Sequence, residues 1–205
     1  MKFTRKKFAG ALIFLALFFC ALWFFYDEKN DSAPRGLTIA DLGDFPQLAE
    51  LDVILREGVD LDSVVISKIS QSPWTHVGIV VSSNPVEIIH ASTTDTANRV
   101  AKSTFADFLK NAERIAVKRY DLSPEKKAAI LENLKAQVGK NFSFNQDAPL
   151  YCTTLLENAF GREFLNLEYQ NISAPVLGGE YLLPSAFYDD KKSVLIFENF
   201  SKKKN

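Results

Sequence analysis

The sequence predicts an α+β domain preceded by a single N-terminal membrane span. Three observations carry this reading. Residues 8–26 contain no charged side chain. Two β-rich runs, Thr75 to Val81 and Val86 to Ala91, flank the turn-forming Ser82-Ser83-Asn84-Pro85. A capped helix is written over Pro124 to Val138, with further strand and helix signals alternating along the chain.

The N-terminal run is 19 residues long and follows Lys2, Arg5, Lys6 and Lys7. At about 1.5 Å per residue it just crosses a hydrocarbon core of about 30 Å. A cleaved signal would show a shorter apolar region and a small-x-small site. Leu17-Phe18-Phe19-Cys20 instead places Phe where a lipoprotein peptidase requires a small residue. The positive cluster stays cytoplasmic, and Asp27, Glu28 and Asp31 follow on the other side. The expected organisation is therefore an anchor over 1–26, a polar linker over 27–36 and a folded domain over 37–205. The protein is expected in the inner (cytoplasmic) membrane as a single-pass protein, with its domain on the periplasmic side.

The chain has 205 residues, 47% of them hydrophobic, enough for one sizeable core. Setting aside the four N-terminal cations leaves 20 basic against 25 acidic side chains, a net of −5. A mildly acidic domain of this kind argues against a nucleic-acid partner. No cofactor motif is present, and none is expected.

Taken in order, Thr38 to Leu51 reads as a weak helix or loop and Leu51 to Arg56 as a strand. Ser63 to Ser70 fits a helix or a strand. The hairpin follows. Val100 to Ala112 carries helical spacing through Phe105, Phe108 and Leu109, and Ile115 to Tyr120 reads as a strand. Ser123 caps the helix from Pro124, whose stripe is Ile130, Leu134 and Val138 and whose end is Gly139. A second helix runs from about Pro149 to Phe160 and stops at Gly161. Pro184 to Asp189 forms a helical turn, Ser193 to Phe197 a last strand, and residues 201–205 a solvated tail. This order implies a mixed sheet with helices on either side.

The hairpin carries both histidines, His76 and His90, one on each arm. Side chains alternate faces along a strand, so register decides whether the rings meet. A two-residue loop pairing Ser82 with Pro85 would turn them to opposite faces, whereas an odd-length loop or one bulge puts them on the same face. Pro85 cannot donate to a ladder, which favours a three- or five-residue connection.

Cys152 is the one thiol outside the membrane run, in the first turn of the second helix. Exposed N–H groups and the helix dipole favour a thiolate there, and a nearby imidazolium adds to the effect, for a pKa of roughly 3.5–7.5. One thiol with two imidazoles matches a nucleophile, a base and an orienting group. The plainer readings are a small core cysteine with structural histidines, or a Cys–His–His zinc site. The ligands lack the close local pairing usual in metal sites, so no metal is expected.

Thr75-His76-Val77-Gly78-Ile79-Val80, the later strand ending before Ala91-Ser92, and Tyr151-Cys152-Thr153-Thr154-Leu155-Leu156 together resemble the permuted papain-like amidases. These are the YiiX/YebB-like group of the NlpC-type cysteine hydrolases. Leu51-Asp52-Val53-Ile54-Leu55-Arg56 is similar to that family's Gly-Asp-hydrophobic strand, with Leu51 where Gly is usual. Lys140 to Phe144 and Asp147 sit where the family approaches its nucleophile. The resemblance spans roughly Leu51 to Phe160. It implies a circularly permuted papain-like α+β domain with an antiparallel sheet and packed helices. It further implies Cys152 as nucleophile, His76 as base, His90 as the group orienting His76 and Tyr151 as an aid to the oxyanion. The permuted branch often has Glu where His90 stands, with Glu87 the fallback here.

The resulting expectation is a membrane-anchored extracytoplasmic cysteine hydrolase acting on an amide, either a cell-wall peptide or a lipid-linked acyl group. Tethering and the apolar Leu182, Leu183, Phe187 and Tyr188 suit the lipid. The alternatives are a binding module with a degenerate site, or a lipid acyltransferase or thioesterase.

Overall fold

The structure is a computed structural model that describes residues 36–94, 97–145, 147–173 and 178–199. The expected anchor over 8–26 with Cys20, linker residues 27–35 and the tail at 201–205 lie outside the described residues. Among the described residues no helix is long and apolar enough to cross a membrane.

A short 3-10 helix at Ile39–Leu42 precedes β1 (Val53–Gly58), α1 (Leu61–Ser70) and the hairpin β2 (His76–Ser83) and β3 (Val86–Thr94). Then come β4 (Ala97–Thr104), α2 (Phe105–Leu109), β5 (Ala112–Tyr120), α3 (Pro124–Gln137) and α4 (Cys152–Phe160). The chain closes with α5 (Arg162–Leu165), β6 (Gln170–Ile172), β7 (Gly179–Tyr181), α6 (Pro184–Asp189) and β8 (Ser193–Glu198). The six-stranded sheet has the order β4-β3-β2-β1-β5-β8, and β6 pairs with β7. Every strand pair is antiparallel, which corrects the mixed sheet read from element order.

Strand alternation divides the core. Leu55, Val77, Ile79 and Ile89 face one way and pack with Ile130 and Leu134 of α3 and Leu155, Leu156 and Phe160 of α4. Ile54, Val80, Ile88 and Ile115 face the other way, against Phe108 and Leu109 of α2 and the preceding Leu42 and Leu48. In α3 the expected stripe buries Ile130 and Leu134 but not Val138, which caps the helix and is 44% exposed.

Two ambiguous segments are settled by long-range pairing. The helical spacing from Val100 yields a strand, because Val100 to Thr104 join the β3 ladder, with Ala101 opposite His90. Only after Thr104, whose hydroxyl caps Asp107 N–H at 3.1 Å, does the chain turn helical. Ser63 to Ser70 is helical, and Asp60 begins the helix by accepting from Ser63 N–H at 3.0 Å.

The hairpin tip also differs from expectation. Ser83 pairs with Val86, so the loop is the two residues Asn84 and Pro85, joined by a cis peptide. A register shift between Val80 and Ser82 leaves Val81 as a bulged residue.

Leu51, where the resembled family carries Gly, has φ 68° and is 2% exposed. Glycine takes that conformation without steric cost. Beside it Asp52, fully buried, receives Arg119 through Nε at 2.6 Å and Nη2 at 2.7 Å, and Ala49 N–H at 2.7 Å. Leu51→Gly should relieve about 1–2 kcal/mol of backbone strain. It also removes a buried leucine, worth roughly 2–5 kcal/mol. The two ranges leave packing ahead, so urea denaturation should show a net loss of up to about 4 kcal/mol.

Candidate active site

The Val81 bulge sets the geometry of the imidazoles. Across the hairpin Val80 pairs with Ile88 and Ile79 with Ile89, so continuing the register sets His90 opposite Gly78, two residues from His76. The rings therefore stand on one face. His76 Nε2 and His90 Nδ1 are 2.9 Å apart, and His90 Nε2 lies 2.8 Å from Ser103 Oγ. The rings meet edge-on at 87°. Phe108 packs on both, with centroids 5.8 Å from His76 and 5.3 Å from His90. It fits because residue 78 is glycine: a Cβ there would lie 2.9 Å from the Phe108 ring and 2.7 Å from Ile88.

Arg56 pairs directly with His76 across the β1–β2 ladder and so shares its face. Its Nη1 donates to the Phe108 carbonyl at 3.0 Å, and its guanidinium lies 4.9 Å from the Phe108 ring centroid.

Cys152 comes from the other side of the sheet. It opens α4 and packs in the cluster with Val77 and Ala91. The last hairpin pair is Ile79 with Ile89, whereas β2 runs on to His76 and β3 to Thr94. The backbone N–H groups of Val77, Thr153 and Cys152 itself favour the anion of this sulfur. His76, Arg56, Tyr151 and Cys152 thus line one cavity of about 260 Å³.

Tyr151 precedes the helix, and its hydroxyl accepts from Leu182 N–H at 3.0 Å. Burial pushes its phenol up to about 12. The segment approaching Cys152 is tied to the β4 edge by Phe142 N–H to the Asn98 carbonyl at 3.0 Å. Phe142 and Phe144 line the cavity, while Asp147 is exposed in a turn. Glu87 is ion-paired with Lys102 at 2.7 Å on the surface.

The electrostatics differ from the expected thiolate–imidazolium pair. Burial pushes the Cys152 thiol up to about 11, outweighing the three N–H groups and the Arg56 charge that favour its anion. Burial, then Arg56, then His90, hold His76 well below its usual 6.5; burial and Arg56 hold His90 at about 3. The resting site is a neutral thiol beside neutral imidazoles. Among the described residues, no hydrogen bond joins the thiol to His76. His76 Nδ1 is therefore the ring nitrogen left to accept a proton, which requires Nε2–H of His76 to donate to His90 Nδ1 and Nε2–H of His90 to donate to Ser103.

The profile of the permuted papain-like amidase family (YaeF/YiiX, C92) matches residues 52–192. The chain belongs to this family. It is accordingly a cysteine-dependent hydrolase. The crystal structure of the metalloprotein YiiX from Escherichia coli O157:H7 is similar, with a TM-score of 0.63 and 17% identity over 76% of this chain and 99% of that one. At that identity the likeness is one of fold. No curated protein matches the chain. Among the described residues, no group of three or more His, Cys, Asp or Glu side chains is arranged to hold a metal ion, so no step here is routed through one.

Arg56, Ser103, Phe108 and Gly78 were not singled out by the sequence reading of the site. Arg56 had a visible signal, a charge closing the apolar Val53-Ile54-Leu55, but its pairing with His76 needs the ladder. Ser103 and Phe108 had none, because they lay in a segment read as helix.

A histidine depressed in the fold binds its proton first in the unfolded chain. Its stabilisation is present above the unfolded pKa of about 6.5 and is lost as pH falls toward about 3. Urea unfolding between pH 6 and 4 should therefore weaken by about 1.4 kcal/mol per pH unit from His90, with a further loss in the same direction from His76. His90→Gln should be less stable at pH 7 and should show a slope shallower by about that amount.

Proposed function

We propose that this chain is a membrane-anchored extracytoplasmic amidase in which Cys152 is the nucleophile, His76 the general base and His90 the group that orients His76. The observation that carries this reading is the hydrogen-bonded line from His76 through His90 to Ser103, with His76 and Cys152 on the wall of one cavity. His76 Nδ1 takes the thiol proton as sulfur attacks the acyl carbon, and the resulting imidazolium donates through Nε2–H to His90. His76 then gives the proton to the leaving amine, and water releases the acyl group by the same exchange in reverse. The N–H groups at the start of α4 and the Tyr151 hydroxyl are the donors available to the oxyanion. The substrate is a cell-wall peptide amide or a lipid-linked acyl group, and the apolar cavity wall supports the second.

Anchoring by residues 8–26 is supported by their length and flanking charges. It predicts that membranes retain the full chain through a carbonate wash; a trimmed soluble product in the periplasm would overturn it.

The mechanism is tested by turnover of peptide-amide and fatty-acyl donors. Cys152→Ala and His76→Ala should each lose a large factor, on the order of 10³ or more, and the double variant little more. His90→Ala should lose less, because it acts through His76. Alkylation of wild-type Cys152 should rise steadily with pH toward 11. A plateau already reached at neutral pH would reveal a resting thiolate and overturn the neutral-pair mechanism. Independent, additive losses would show that Cys152 and His76 do not act as a unit, and absence of turnover by the wild type on every donor would favour a binding module.

A further inference from the structure

Among the described residues, Arg56 is a buried cation with no counter-ion in contact. It is 6% exposed, and its Nε is buried with no hydrogen-bond partner. Its Nη1 donates to the Phe108 carbonyl at 3.0 Å. Among the described residues no carboxylate lies within ion-pair distance of it. Asp60 acts on it from further away. The two imidazoles beside it are neutral and Cys152 is a thiol, so among the described residues the charge is offset by the Phe108 ring and the more distant Asp60, with no anion in contact. Proteins seldom bury a charge in this way, because desolvation is costly unless a partner compensates. Arg56 lines the Cys152 cavity, where an arriving ligand meets it.

The rest of that wall is mostly apolar, formed by Ile66 and Ile69 of α1 with Phe142, Tyr181 and Leu183. Asp60 and Asp62 also border the cavity, but both are exposed at the start of α1, where water screens them. The inner wall therefore presents one fixed positive charge beside the nucleophile, within an apolar surround.

We propose that Arg56 is an anion-recognising subsite and that the cavity takes amphiphilic anions: acyl compounds with a carboxylate or phosphate close to the scissile carbonyl and an apolar chain along α1. A guanidinium suits either group, because its planar fork matches both oxyanions. The proposal rests on Cys152 being the reacting group of this cavity, and its test is built to fail separately from that reading.

Four probes of one chain length serve on the full-length protein in nanodiscs: hexanoate, hexyl phosphate, hexanol and hexylamine. Two readouts apply, protection of Cys152 from iodoacetamide at pH 9 and the melting-temperature shift of Cys152→Ala. The second needs no reactive thiol, so it reports the subsite even if Cys152 proves unreactive. Hexanoate or hexyl phosphate should act at a concentration at least tenfold lower than hexanol, and hexylamine should do no better than hexanol. Whichever anion acts at the lower concentration separates a carboxylate ligand from a phosphate headgroup. Arg56→Met should abolish the preference while keeping hexanol binding, and Arg56→Lys should keep part of it. Equal potency of hexanol and both anions on the wild type would overturn the proposal, and that comparison stands even if Arg56→Met fails to fold. An undiminished anion preference in Arg56→Met would overturn it as well.

Discussion

One extra residue in β2 is the constraint on which the site depends. Ser83 pairs with Val86, and without the Val81 bulge that register would set His90 opposite Ile79. The two imidazoles would then stand on opposite faces of the sheet. With the bulge, His90 falls opposite Gly78 and shares a face with His76 and Arg56. The absence of a side chain at Gly78 admits the Phe108 ring, which covers both imidazoles, while the Phe108 carbonyl holds Arg56. A single insertion in a ladder thus brings His90 to the face where His76, its aromatic cover and the Arg56 cation already stand.

Burial then determines the protonation of that assembly. A helix N-terminus lowers a thiol's pKa when the sulfur is partly solvated, but here desolvation is the larger effect. The same burial, reinforced by Arg56, keeps both imidazoles uncharged. In the proposed mechanism the thiol and imidazole become charged only when His76 accepts the thiol proton, next to donors already in place. Fixed dipoles of this kind need little reorganisation when charge develops, which is where enzymes gain most of their electrostatic stabilisation.

The support for β1 follows the opposite logic, with local strain offset by tertiary contacts. Leu51 holds a left-handed backbone that glycine would take freely, and its buried side chain compensates. Asp52 fixes the next step through two bonds from Arg119 and one from Ala49. β1 can then place Arg56 directly across from His76.

Much of this was readable from residues alone, where the signal is local. Ser123 and Pro124 begin α3 as their capping chemistry requires, and Gly161 ends α4 at φ 90°. Residue type, placement and family resemblance point to His76, His90 and Cys152 as the reacting set; His76 and Cys152 line one cavity, and His90 is hydrogen-bonded to His76. What failed was non-local. Val100 to Thr104 have helical spacing yet form a strand, because pairing with β3 outweighs intrinsic preference. The α5 helix and the β6–β7 pair carry too few residues to show a period. The sequence by itself determined the α+β class, the capped helices and the residues able to do acyl chemistry, since each depends on side-chain type and near neighbours. Tertiary structure alone decided the bulge at Val81, the sharing of one cavity by a thiol and an imidazole from opposite faces of the sheet, and the burial of Arg56 on its wall. Register and desolvation are properties of surfaces brought together, and no short stretch of chain contains them.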